Sequence, residues 1–83
     1  MTLPAPLSRI LDTILDCEYG FDQVKIGDLT HDQRRDAVEE SAHLAGFEGG
    51  ELHPLFPALA SAFGIQEAAW RANFEQGRID ADL

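Results

Sequence analysis

Cysteine is nearly absent: of 83 residues only Cys17 is one. An internal disulfide is therefore excluded, as is a zinc cage built from several cysteines of one chain. Basic side chains are scarce too, with 6 Lys and Arg against 15 Asp and Glu, for a formal charge of -9. Such a surface repels nucleic-acid phosphates and anionic headgroups at long range, and it favours basic partners. No apolar run approaches the roughly 20 residues needed to cross a bilayer. The amino-terminal stretch, with Pro4 and Pro6 and then Arg9, Asp12 and Asp16, lacks the unbroken apolar centre of a secretory signal. These absences together predict a cytoplasmic protein without a membrane association.

What is present suffices for a core. Hydrophobic residues make up 45% of the chain and are spread along its length, which argues against a disordered acidic tail. The length predicts a single domain over residues 1–83, one that buries only about 60% of the surface its unfolded chain exposes. The charge is uneven: residues 1–56 carry 4 basic and 11 acidic side chains, net -7, and residues 57–83 carry 2 and 4, net -2.

Apolar periodicity predicts an all-α fold, a compact bundle of about four short helices. Leu7, Ile10, Leu11, Ile14 and Leu15 share one helical face and set the first helix at about 5–19, with a proline in its first turn and Gly20 as a left-handed stop. Residues 21–29 mix spacings of two and three around Phe21, Val24, Ile26 and Leu29; an ordered connection is expected there, with room for a short extended piece at 23–26. Thr30-His31-Asp32-Gln33 fits a capping box and begins a second helix, about 31–45, closed by Gly46. Its apolar face is made of small residues, Ala37, Val38, Ala42 and Ala45, which allow a neighbouring helix to come close. Residues 47–53 read as a loop around Gly49-Gly50. A turn at 52–56, a helix at about 57–63, a last helix at about 66–76 stopped by Gly77, and a fraying tail complete the reading.

The segment 57–77 resembles a helix-turn-helix corner: Ala60 where two helices cross, Gly64 at the turn, Ile65 plugging the corner and Trp70 anchoring the second helix. As a DNA reader it would present Gln66, Glu67, Ala68, Arg71 and Glu75, a set poor in the cations that phosphates require. A structural corner is the plainer reading.

The early helices carry seven carboxylates, Asp12, Asp16, Glu18, Asp32, Asp36, Glu39 and Glu40. A helix of about 12 residues is about 18 Å long, a length over which duplex DNA carries about ten charges, so nucleic-acid mimicry is admissible in magnitude if both helices face one way. The plainer alternative is that these are solvated faces. Arg34 and Arg35 interrupt the stripe in the sequence.

No chemistry-bearing constellation accompanies them. Glu39 and His43 are four apart, yet no metal-binding spacing surrounds them, and neither metal nor cofactor is expected. Cys17 has no neighbouring His to activate it, and four short helices offer little cleft in which to tune a pair of carboxylates. The sequence therefore predicts a non-enzymatic protein-binding module, an inhibitor or adaptor that occupies a basic surface of a partner and does not bind nucleic acid directly. Asp12, Asp16, Asp32, Asp36, Glu39 and Glu40 are the expected acidic contacts, and Trp70 and Phe74 the expected apolar anchors. A helix-turn-helix regulator and an assembly subunit self-associating through Trp70 are the alternatives from other classes.

Overall fold

The computed structural model describes residues 3–20 and 25–83. Its regular elements are four α-helices, α1 (Ala5–Tyr19), α2 (His31–Phe47), α3 (Phe56–Ala62) and α4 (Glu67–Ala81), with a single 3₁₀ turn at Ile26–Asp28. No strand occurs among the described residues, and the all-α expectation holds. Of the extended piece considered for 23–26, residues 23 and 24 lie outside the described residues, and Ile26 opens the 3₁₀ turn instead. Leu29, just after the 3₁₀ turn, is buried.

Helix α1 forms where its periodicity places it. Leu7, Leu11 and Leu15 point into the core, and each leucine side chain removed from water contributes about 1.5–3 kcal/mol. Pro6 sits in the first turn, where its missing N–H has no helical partner to lose. Gly20 keeps a right-handed φ of -61°, so the left-handed stop expected there does not form.

Helix α2 starts on the capping box. The Gln33 N–H donates to Thr30 Oγ1 at 3.1 Å, and the Thr30 N–H donates to Gln33 Oε1 at 2.8 Å. It runs past Gly46, the stop expected from sequence, and closes on Gly49 at φ +73°. There the Gly50 N–H donates to the Ala45 carbonyl and the Gly49 N–H to the Gly46 carbonyl, the two bonds of a Schellman closure. Helix α3 ends the same way: Gly64 has φ +71°, with Ile65 N–H to Ala60 O and Gly64 N–H to Ser61 O.

The reason α2 ignores Gly46 is tertiary. Helices α2 and α4 cross with Gly46 against the Phe74 backbone and Gly77 against the His43 carbonyl; a Cβ on either glycine would overlap the opposing main chain. Gly77, read from sequence as the end of the last helix, is thus buried inside α4, and residues expected to fray continue the helix to Ala81. His43 lies near Asp80 while Gly46 meets Phe74, so the two helices run antiparallel. Close backbone approach of this kind is what small residues permit.

The remaining core gathers from α3, the corner that follows it and α4: Phe56, Leu59, Ala60, Phe63, Ile65 and Trp70 are all buried. Trp70 meets Phe56 edge-on, with ring centroids 5.3 Å apart and planes at 78°, the geometry that the ring quadrupoles favour. His31 stacks on Phe63 at 5.2 Å, fixing the start of α2 to the end of α3. No helix among the described residues is long and apolar enough to cross a membrane.

Candidate functional site

Along α2, Asp32, Asp36 and Glu40 recur every four residues, so their carboxylates rise about 6 Å from one to the next along one side of the helix. All three residues are exposed, and Glu39 is half-buried beside them. The two arginines that interrupt this stripe in the sequence do not break it in space. Arg34 is half-buried and its Nε donates to the Leu29 carbonyl at 3.2 Å. Arg35 pairs with Glu39 at 3.6 Å, which neutralises Glu39 and leaves Asp32, Asp36 and Glu40 as the negative line.

The two acidic helices do not present their carboxylates to one side. Ile10 and Ile14 of α1 line a groove shared with Ser41 and Ala45 of α2. Asp12 and Asp16 each lie two residues further on, about 200° around the helix, and border an adjoining open depression with Cys17 and with Thr13, which also lines the groove. The single carboxylate of α1 that joins the α2 stripe is Glu18. Burial pushes its carboxyl above the ordinary value, and the neighbouring charge of Glu40 pushes it further. Its Oε1 is enclosed and has no hydrogen-bond partner among the described residues.

A polar link ties the far end of α2 to α4. The His43 Nε2–H donates to Asp80 Oδ2 at 2.9 Å, and Gln76 Nε2 donates to Asp80 Oδ1 at 2.8 Å. These bonds hold the Asp80 carboxyl below its ordinary value, the His43 bond contributing most. The bond to Asp80 places the proton of a neutral ring on Nε2, so Nδ1 faces Glu40 Oε1, 4.0 Å away, without a partner. Sequence reading had no means of finding this link, since His43 and Asp80 are 37 residues apart and Asp80 fell in a segment expected to fray. Among the described residues no three His, Cys, Asp or Glu side chains gather as ligands for a metal ion.

The expected apolar anchors are placed differently from each other. Trp70 is only 5% exposed, because its ring fills the space above Phe56, and a side chain so enclosed offers little surface to a partner. Phe74 is half-buried beside the crossing, with the Arg78 guanidinium 6.0 Å over its ring. The large apolar surface lies elsewhere: Phe47 is 50% exposed and Ile79 55%. Phe47 stands seven residues, or about two turns, beyond Glu40, so it extends the acidic line of α2 with an aromatic ring. Its role was hidden in the sequence by the premature stop assigned to Gly46.

Both cations of α4 are engaged within the helix. Arg71 pairs with Glu67 at 3.4 Å and lies 4.9 Å over the Trp70 ring, and Arg78 pairs with Glu75 at 3.7 Å. The outer face of α4 therefore offers phosphates little unneutralised charge. Compared with protein-family models, with curated proteins and with solved structures, the chain gives no match.

Proposed function

We propose that the chain is a non-enzymatic protein-binding module, a small acidic inhibitor or adaptor that occupies a basic surface of its partner, of the kind that holds nucleic acid. The observation that carries this reading is the exposed line Asp32, Asp36 and Glu40 on α2, extended by Glu18 at one flank and ending on exposed Phe47. Negative charge on such a line steers encounter with a cationic surface and raises the association rate. An aromatic ring that becomes desolvated at the contact slows dissociation.

In this reading Asp12 and Asp16 belong to the general negative field, and Trp70 supports the contact from the core without touching the partner. Nucleic-acid mimicry is confined to what one face of α2 can imitate. That helix has 17 residues and is about 25 Å long, with three exposed carboxylates on its line, well short of the duplex charge over the same distance.

Affinity capture from host extract tests the proposal, with wild type set beside a variant in which Asp32, Asp36, Glu39 and Glu40 are all changed to Lys. The expected partner is a basic protein that is retained by wild type, released by salt and lost from the variant. Equal retention by both proteins, indifferent to salt, overturns the reading.

A further inference from the structure

A groove of about 360 Å³ runs between α1, α2 and the segment entering α3. Its floor is Phe56, and Ile10, Ile14 and Leu52 form apolar walls that are only half-buried. The two hydroxyls that border it have spent their protons inside their own helices. Thr13 Oγ1 donates to the Arg9 carbonyl at 3.1 Å, and Ser41 Oγ donates to the Val38 carbonyl at 2.6 Å. Two donors at the rim remain. His53 Nδ1 accepts the Leu55 N–H at 3.0 Å, which places the proton of a neutral ring on Nε2. The other bordering residue with side-chain donors is Arg9, which is exposed.

Arg9 differs from Arg34, whose Nε donates to the Leu29 carbonyl, and from the three other helical arginines. Arg35, Arg71 and Arg78 pair with carboxylates three or four residues away. Arg9 has Asp12 at the same i, i+3 spacing that joins Glu75 to Arg78, yet among the described residues it makes no ion pair and instead borders the groove. In a chain with 15 acids and 6 bases, a guanidinium left without a carboxylate beside an apolar trough is complementary to a ligand with a hydrocarbon body and an anionic head.

We propose that this groove binds a small amphipathic carboxylic acid, its hydrocarbon on Ile10, Ile14 and Leu52 and its carboxylate on Arg9. Since liquid water takes about 30 Å³ per molecule, the volume suits about twelve non-hydrogen atoms, the size of a ten-carbon acid. Planar pairing with a carboxylate is what a guanidinium does best. Glu51 also borders the groove, and it weakens the site without abolishing it. The site is independent of the α2 acidic line.

Titration of the isotope-labelled chain with decanoate, and separately with decanol, followed by amide and methyl chemical shifts, tests the proposal. Decanoate is expected to give saturable shifts centred on Ile10, Ile14 and Leu52. Arg9→Gln should weaken decanoate about tenfold, the scale of one charged hydrogen bond, while Glu51→Gln should strengthen it. Decanol should bind more weakly than decanoate to wild type and equally to wild type and Arg9→Gln. Absence of saturable shifts, shifts centred elsewhere, or an Arg9→Gln protein that binds decanoate as well as wild type overturns it; in the last case the groove is a purely apolar face.

Discussion

Glu18 is the residue at which the acidic surface works against the fold. Its carboxyl is raised by burial first and by Glu40 second, so ionising it costs more in the folded chain than in the unfolded one. The stability it contributes is full below its ordinary value of 4.5 and declines as pH rises through the raised value. Glu18→Gln is accordingly expected to raise the melting temperature at pH 7 and to leave it unchanged at pH values below 4.5. Thermal unfolding across that range reads the difference directly.

At the scale of helices, the α2–α4 crossing is the joint that the rest of the bundle leans on, and two glycines make it. Gly77→Ala gains about 1 kcal/mol of helix propensity but sets a methyl against the His43 carbonyl and 2.8 Å from the Phe47 nitrogen. Overpacking of this kind costs about 1–3 kcal/mol and sometimes more, and main chain on the far side cannot swing away as a side chain can. With the cost at the upper end of that range, a net loss of about 2 kcal/mol is expected, lowering the melting temperature by about 8–16 °C. Gly27→Ala, where a Cβ meets nothing within 4 Å, serves as the neutral control.

The same joint carries Asp80. Its carboxyl is held below the ordinary 3.8 by His43 and then Gln76, so the stability it adds is present above that pH and is lost as pH falls through the depressed value. Asp80→Asn should therefore destabilise at pH 6–7, and the gap from wild type should close toward strong acid, as followed by denaturant unfolding at several pH values.

These two positions also show where sequence stops being legible. Periodicity placed α1 to the residue, because five apolar side chains repeat on one face without competition. The capping box was legible because it is a contact between residues three apart. Gly46 and Gly77 were misread as stops, since a glycine that ends a helix and one that admits a second helix look alike locally. That misreading cut α4 short of Asp80 and put Phe47 in a loop, and so concealed the polar link and the exposed aromatic end of the acidic line. Trp70 was recognisable as an anchor; that it anchors the core depended on Phe56, which lies in another element.

Taken whole, the molecule is a strongly negative body in which three of the six cations, Arg35, Arg71 and Arg78, are paired with its own carboxylates. Duplex DNA is therefore expected to remain unbound in an anisotropy titration even at about 0.01 M salt, where screening is weakest. Saturable binding there would mean a cationic face that the ion pairs of α4 do not provide.

The central claim is that the carboxylates of α2 draw the chain onto a basic surface. Its most direct test is the association rate between the chain and its captured partner, measured by stopped flow over a series of salt concentrations. The account predicts a rate that falls steeply as salt is added, and a flattened dependence when Asp32, Asp36, Glu39 and Glu40 are reversed to Lys. A rate that ignores both salt and the reversal contradicts it.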